Sequence, residues 1–128
     1  MKSTNRAGFT LVELLIVVVI IGILAMIALP KFQDTKGKAL KSAMMSDLRN
    51  LSTAEETYLF DNQTYTPVLS AMNYNASPGV IITIVSATAS GWSASATNPQ
   101  SYPETCSLFH GNVPSLAPAT VEGLIDCK

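Results

Sequence analysis

The sequence predicts an α+β protein in which one long N-terminal helix packs on a small antiparallel sheet. The prediction rests on an apolar run near the N-terminus, a helical repeat of apolar residues directly after it, and a β-branched segment followed by an alternating one in the second half. Of the 128 residues, 48% are hydrophobic and 13% are charged. Soluble domains average about 25% charged residues, so the composition excludes a disordered chain and a basic nucleic-acid-binding module.

The apolar run covers residues 9–29, and only Thr10, Glu13 and Gly22 interrupt it. A helix over these residues is roughly 32 Å long, about the thickness of the hydrocarbon core of a bilayer. The alternative is a buried helix of a soluble protein, but so small a domain cannot surround it. We therefore expect a membrane span.

The residues around the run distinguish it from an ordinary secretory signal peptide. Such peptides have a shorter apolar core, followed by small residues at the cleavage site. Here the small residues Ala7 and Gly8 precede the run. Lys2 and Arg6 also precede it, and the positive-inside rule places that end in the cytoplasm.

Glu13 is an acidic residue near the start of the apolar run. A carboxylate in lipid is costly and marks a functional hypothesis. It needs a positive partner, and the run contains none. Cleavage after Gly8 would create one, the α-amine of Phe9. The amine of the same chain is one possible partner, and the amine of a neighbouring chain is the other, which would set the register between packed helices.

Residues 7–13 read AGFTLVE, and the apolar run that follows ends at Pro30. This segment resembles the prepilin N-terminus that bacterial type IV pilins share with the pseudopilins of type II secretion. The short leader, residues 1–8, is similar to that of the type IVa class. The resemblance implies that a membrane prepilin peptidase cuts between Gly8 and Phe9 and N-methylates Phe9. It also implies that Glu13 neutralises the Phe9 amine of an adjacent subunit.

The resemblance further implies three parts with a pilin fold: the leader at 1–8, an assembly helix at 9–30 and a head at 31–128. In family filaments the helix often unwinds between a glycine and a proline, here Gly22 and Pro30. Both residue types weaken a helix, and a simple kink at Pro30 is the alternative. We expect the break in the packed filament and not in the lone subunit.

The implied partners belong to filament assembly, and no cofactor is expected. They are other copies of the chain in a helical homopolymer, the prepilin peptidase, an inner-membrane platform protein, an assembly ATPase and an outer-membrane secretin. Membrane lipid surrounds the helix before assembly. The precursor is expected in the inner membrane and the filament on the bacterial surface.

Residues 31–60 continue the helix beyond the membrane, so one helix is predicted from about residue 9 to about residue 60. Its apolar positions recur in steps of three and four and mark one buried face. These positions are Leu40, Ala43, Met44, Leu48, Leu51, Ala54 and Tyr58. The opposite face is expected to carry Lys36, Lys41, Arg49 and Asp47.

Charge is divided between this stem and the head. The cations cluster at residues 31–49, and every charged residue between 50 and 127 is acidic. Charge pairing between subunits staggered along a fibre is one interpretation. Binding of the basic cluster to anionic lipid headgroups is the other.

The head is predicted to contain a sheet of three or four strands after a turn-rich loop at residues 67–79. Strands are expected at 80–86, 92–98 and 106–110. Trp92 is assigned to the core, with an exposed adhesive aromatic as the alternative. The Ser/Thr-rich stretch at 83–101 is either a glycosylation surface or ordinary solvated strand and turn.

Cys106 and Cys127 are the only cysteines. Oxidation is expected in an exported segment, and the pair resembles the C-terminal disulfide loop of type IV pilins. A metal site is disfavoured because two thiols and the distant His110 lack ligand spacing. His110, the only histidine, is expected at the surface or at a strand end.

The function predicted from these features is that of a structural subunit of a type IV pilus, used for adhesion, motility or DNA uptake. The alternatives are a pseudopilin of a type II secretion system and a minor pilin. Major pseudopilins resemble one another in an acidic, calcium-binding C-terminal loop, usually without a disulfide. The two C-terminal cysteines and the lack of a dense Asp cluster favour a pilin. An enzyme is disfavoured because the sequence offers no nucleophile–base set.

Overall fold

The structure is a computed structural model that describes residues 8–128. The helix α1 spans Leu11–Asn62, and a short 3-10 helix spans Leu69–Met72. The strands are β1 (Ile81–Ala87), β2 (Gly91–Thr97), β3 (Thr105–Gly111) and β4 (Asp126–Cys127). The predicted α+β class is confirmed. Contacts divide the chain into two units, Met1–Lys36 and Gly37–Lys128, and the predicted leader lies outside the described residues except for Gly8.

The helix α1 is continuous through Gly22 and Pro30. Proline has no N–H to donate, so the helix lacks one backbone hydrogen bond at Pro30. The predicted limits, residues 9 and 60, each lie two residues before the observed ones. A continuous helix is what we expect for a single subunit, and unwinding in a filament stays a prediction.

The four strands form one antiparallel sheet in the order β1-β2-β3-β4. The three long strands fall within one residue or so of the predicted segments. The fourth is a two-residue strand in which Cys127 pairs with Cys106. A β-bulge interrupts the pairing of β1 with β2 between Ile84 and Ser86.

The core lies between the sheet and the part of α1 in the second unit. Trp92 is fully buried, which confirms its assignment to the core. The ring of Tyr65 packs against it with centroids 6.5 Å apart. Most of the remaining core residues come from the predicted face of α1 and from alternate positions of the strands. They include Met44, Leu48, Leu51, Ala94, Ala96, Cys106 and Leu108.

Asp47 was predicted on the exposed face of α1, and that prediction is wrong. It is 3% exposed and lies between Met44 and Leu51 on the buried face. Its carboxylate accepts hydrogen bonds from the backbone N–H and the hydroxyl of Ser77, each at 2.9 Å. Tyr74 donates to the Asp47 backbone carbonyl at 2.8 Å. Asp47 is buried because these bonds replace its hydration, and they tie the loop before the sheet to the helix.

Glu55 is a second buried carboxylate of α1. Its Oε2 accepts a hydrogen bond from the backbone N–H of Thr66 at 3.1 Å. Its Oε1 is buried with no partner among the described residues, as is Nε1 of Trp92. Burial is the main cause that raises the pKa of Glu55. The nearby Tyr65 hydroxyl, which donates to Glu56 at 2.9 Å, has its pKa raised to about 12, first by burial.

The C-terminal segment covers the outer face of the sheet at β3. The Ser107 hydroxyl donates to the carbonyl of Leu116 at 2.7 Å and accepts from the N–H of Ala119 at 2.9 Å. Ser107 is fully buried, and Ala119 is almost so. The disulfide Cys106–Cys127 fastens the far end of this segment, with the two Cα atoms 4.0 Å apart. The expected disulfide is therefore present.

Candidate assembly site

The start of α1 is closed by a reciprocal pair of hydrogen bonds between Thr10 and Glu13. The Thr10 hydroxyl accepts from the N–H of Glu13 at 3.2 Å, and Glu13 Oε2 accepts from the N–H of Thr10 at 2.9 Å. The Thr10 hydroxyl also lies 2.9 Å from the same carboxylate oxygen. This is a capping box, in which the N-cap residue and the residue three positions later satisfy each other's free N–H groups. Glu13 thus has a local partner that the sequence analysis overlooked.

The second carboxylate oxygen of Glu13 remains available at this end of the helix. Both Thr10 contacts use Oε2, and no hydrogen bond reaches Oε1 from the described residues. Glu13 is exposed. Thr10 follows Phe9 directly, so a new amine on Phe9 would form one residue from a group that Glu13 already binds. The geometry therefore leaves both partners open, the amine of the same chain and that of a neighbour.

The apolar surface of residues 9–29 has no cover within the described chain. Its large side chains range from 47% exposed at Val17 to 83% exposed at Phe9. By length and composition, α1 includes a stretch long and apolar enough to cross a membrane. Exposed apolar area of this extent needs lipid or protein around it.

Gly22 and Pro30 lie on this uncovered part of the helix. A Cβ built on Gly22 would meet no atom within 4 Å, so nothing within the described chain requires a glycine there. A Cβ built on Gly8 would likewise meet no atom within 4 Å.

The basic stem already has one contact to the acidic head within the chain. Lys41 Nζ lies 3.0 Å from Glu104 Oε1. Both side chains are partly exposed, so this ion pair contributes little to stability. It removes one cation from those available for pairing between subunits.

His110 lies near the end of β3 with its side chain about half exposed, as expected. Its Nδ1 is 3.4 Å from Glu122 Oε1, and its Nε2 is 3.8 Å from Glu56 Oε1. Among residues 8–128, no three His, Cys, Asp or Glu side chains are grouped so that they could hold a metal ion.

Comparison with known proteins agrees with the N-terminal features. Residues 3–29 match the family described as the prokaryotic N-terminal methylation motif. This match contains the Gly8–Phe9 junction, Glu13 and Gly22. The type IV major fimbrial protein FimA of Dichelobacter nodosus is 49% identical over 63 residues, which cover 49% of this chain and 40% of that protein.

Two further relatives are a type IV pilin and a protein of a type II secretion system. The type IV major alpha-pilin of Moraxella bovis is 48% identical over 65 residues, covering 51% of this chain and 40% of the pilin. The type II secretion system core protein G of Escherichia coli K12 is 41% identical over 66 residues, which cover 51% of this chain and 46% of that protein. The aligned region spans less than half of each relative. The N-terminal half of the chain is thus similar both to type IV pilins and to a type II secretion core protein, in agreement with the predicted resemblance.

Sequence reasoning missed three residues that organise the site and the head. Thr10 was passed over although Thr-x-x-Glu before an apolar run is the signal of a capping box. Asp47 falls at helical spacing between Met44 and Leu51, so the periodicity already placed it on the buried face. The role of Ser107 had no local signal, because its partners lie on a loop with no regular pattern.

Proposed function

We propose that the chain is the structural subunit of a type IV pilus. The main support for this proposal is the uncovered apolar surface of residues 9–29, which lies within the matched methylation motif. The head anchors its own loops through Asp47, Ser107 and the disulfide Cys106–Cys127, and it does not use that surface. The polymer is therefore held together by the N-terminal helices, with the heads on the outside.

The helix moves from one apolar surrounding to another during assembly. Lipid tails are as apolar as Leu or Ile side chains, so burial alone does not favour a fibre over the membrane. Side-chain packing and polar contacts must supply the difference. Within residues 9–29 Glu13 is the only charged side chain, so its pairing with an amine of a neighbouring subunit is the contact best able to fix the register.

Processing precedes assembly in this proposal. A prepilin peptidase cuts between Gly8 and Phe9 and N-methylates Phe9, and the mature chain then leaves the inner membrane. An inner-membrane platform protein and an assembly ATPase drive extraction, and a secretin passes the fibre through the outer membrane. The chain itself acts as a building block and not as an enzyme. Adhesion, motility and DNA uptake are the uses we propose for the fibre.

A pseudopilin is the second candidate because type II secretion core protein G matches the same region as the pilins. The disulfide Cys106–Cys127 supports the pilin. A fibre that reaches the cell surface would distinguish a pilin from a pseudopilin, because the pseudopilin fibre is short and periplasmic. A minor pilin would reach the surface at a small fraction of the major subunit.

Two substitutions of Glu13 test the proposed register contact. Glu13→Gln keeps an oxygen that can accept the Thr10 hydrogen bonds but has no charge, whereas Glu13→Ala loses both. We expect both variants to be processed and to remain in the membrane, with little fibre in the fraction sheared from cells. Normal fibre yield from Glu13→Gln would show that Glu13 acts only as a helix cap.

A matched substitution tests the cleavage site. Gly8→Val places a branched side chain at the junction, and we expect the unprocessed chain to accumulate in membranes. Thr35→Val, at an exposed position of α1 well beyond the junction, is the control and should be processed normally. Full processing of Gly8→Val would contradict the assignment of the junction.

A further inference from the structure

Two opposite charges follow the apolar run on α1. Asp34 comes three positions after Lys31, and both side chains are exposed. Neither forms an ion pair within residues 8–128, where every ion pair involves Lys41 or His110. Lys38 lies about one turn after Asp34, and it does not pair with that carboxylate either. Lys31 and Asp34 are therefore both available to a partner outside the subunit.

Asp34 lies on the same side of the helix as Glu13. The two acids are 21 positions apart, close to six turns at about 3.6 residues per turn. Helix α1 is continuous between them, and Lys31 lies about one turn before Asp34 on the helix surface. A neighbouring chain that packs along the Glu13 side of the helix therefore also meets Asp34.

The order of these charges repeats that of the proposed contact at the start of the chain. There the Phe9 amine precedes Glu13 by four positions, and here Lys31 precedes Asp34 by three. At about 1.5 Å per residue, a neighbour displaced along the axis by about 6 Å brings its amine level with Glu13, and one displaced by about 4.5 Å brings its Lys31 level with Asp34. The flexible stem of lysine covers the difference. No other Lys or Arg in residues 9–62 is followed by an acid three or four positions later.

We propose that Asp34 of one copy pairs with Lys31 of a neighbouring copy, as a second contact that fixes the register of the fibre. The neighbour is the one whose Phe9 amine meets Glu13, so this inference rests on the proposed function. Copies in a helical fibre are related by one repeated operation, so a neighbour has the same axial displacement at both contacts, whatever path the helix takes between them. The partner is a second copy because one displacement of an identical chain satisfies both charges.

The surface around this pair also needs cover. Phe32, which lies between Lys31 and Asp34 in the sequence, is 70% exposed and extends the apolar surface past residue 29. Packing of Phe32 in a fibre would place the ion pair at the border of the packed helices. The attraction between opposite charges is stronger there than in open water, because the effective dielectric constant is lower. The pair therefore contributes more in a fibre than an exposed pair on a lone subunit does.

Cysteine cross-linking in fibres sheared from cells tests the contact. One chain carries Lys31→Cys, a second carries Asp34→Cys, and both are co-expressed with the unmodified chain. The unmodified chain has only its two bonded cysteines, so it is inert to a short bis-maleimide. Lys36→Cys is the matched control for Lys31→Cys, because it is also exposed but is turned about 140° away around the helix. We expect mass spectrometry to find position 34 linked to position 31 well in excess of position 36.

An exchange of the two charges measures what the pairing contributes. Lys31→Glu places two carboxylates at the contact, and Asp34→Lys places two ammonium groups there. Because like charges at an interface oppose association, each variant should lower the yield of sheared fibre roughly tenfold or more. The double variant restores opposite charges at the same displacement and should recover most of the yield. Lys36→Glu, which makes the same charge change on the other side of the helix, should leave the yield near that of the unmodified chain.

The cross-link and the charge exchange answer different questions. Recovery in the double variant shows that the two positions pair, and a link between two different chains shows that the pair joins subunits. Equal amounts of processed chain in the membrane verify that each variant is made and inserted.

The outcomes also separate this inference from the proposed function. Failure of the unmodified chain to form fibres would overturn both. Normal fibres in which position 34 links equally to positions 31 and 36 would overturn the second register contact alone. Full fibre yield from Lys31→Glu, or a double variant no better than the single ones, would do the same.

Discussion

The buried hydroxyl of Ser107 should hold the C-terminal segment against the sheet. It is the only side chain that contacts both Leu116 and Ala119 through hydrogen bonds among the described residues. Ser107→Ala removes one oxygen atom and both bonds. The N–H of Ala119 is buried and would have no replacement partner, whereas Leu116 is partly exposed, so water can reach its carbonyl.

The expected loss of stability follows from these two contacts. A buried donor left without a partner costs about 1–3 kcal/mol, and a lost hydrogen bond that water replaces costs about 0.5–1.5 kcal/mol at most. We expect Ser107→Ala to lower the free energy of unfolding of the head by about 2–3 kcal/mol. Ser115→Ala, at an exposed position, should change it by less than about 0.5 kcal/mol.

Urea unfolding of the full-length chain in a mild detergent measures this difference. Trp92 is the only tryptophan and is fully buried, so its fluorescence reports the head alone. The two serine variants should have the same slope with urea and different midpoints. If Ser107→Ala unfolds within about 0.5 kcal/mol of Ser115→Ala, the C-terminal segment is not held by this hydroxyl and our account of the outer face is wrong.

Three further predictions concern the head. Reduction of Cys106–Cys127 should lower its stability by about 3 kcal/mol in the loop-entropy account, measured by urea unfolding with and without reductant; an unchanged midpoint would contradict it. Asp47→Ala should lower stability by about 2–4 kcal/mol because it leaves the Ser77 N–H and hydroxyl without their partner, and hydrogen exchange of the Ser77 amide should accelerate; a protected amide would argue against that role. Burial raises the pKa of Glu55 above about 4.5, so the folded state holds this proton more tightly than the unfolded chain. The contribution of protonated Glu55 to the free energy of unfolding is therefore present below about pH 4.5, and it is lost as the pH rises through the raised pKa. The stability of wild type relative to Glu55→Gln should therefore fall between pH 4 and neutrality, and a rise would refute the sign.

Much of the fold follows from local patterns. The helix of residues 11–62 has a continuous apolar signal followed by a repeat in steps of three and four, and no proline interrupts the repeat. The strands β1, β2 and β3 were predicted to within one residue or so because β1 is rich in β-branched residues, β2 alternates in polarity, and turn residues separate the segments. Trp92 was correctly placed in the core because a large aromatic side chain in a small sheet gains most by burial against the helix.

The errors come from side chains whose partners are distant in sequence. Asp47 was placed at the surface on the ordinary preference of carboxylates for water, although its helical spacing put it on the buried face. Its burial depends on Ser77, thirty positions later, which no local pattern connects to the helix. Ser107 and the path of residues 112–125 are similar cases, because an irregular segment lies where its hydrogen bonds take it.

The residues of the candidate assembly site were named from the sequence, but the hydrogen bonds between Thr10 and Glu13 were not predicted. The apolar run, Glu13 and Gly8–Phe9 were singled out from the sequence and lie within residues 3–29, which match the methylation motif; cleavage after Gly8 and pairing of Glu13 stay predictions. The capping box between Thr10 and Glu13 adds a second role for that carboxylate. The contacts between subunits involve more than one chain, so a single subunit cannot display them.

The central claim is that the mature chain begins at Phe9 and is the main component of a surface fibre. Mass spectrometry of the fibre fraction sheared from cells tests it most directly. We expect this chain to dominate that fraction, to begin with N-methylated Phe9, and to carry an oxidised Cys106–Cys127 pair. A processed chain that stays in the membrane and is missing from the sheared fraction would contradict the claim and favour the pseudopilin.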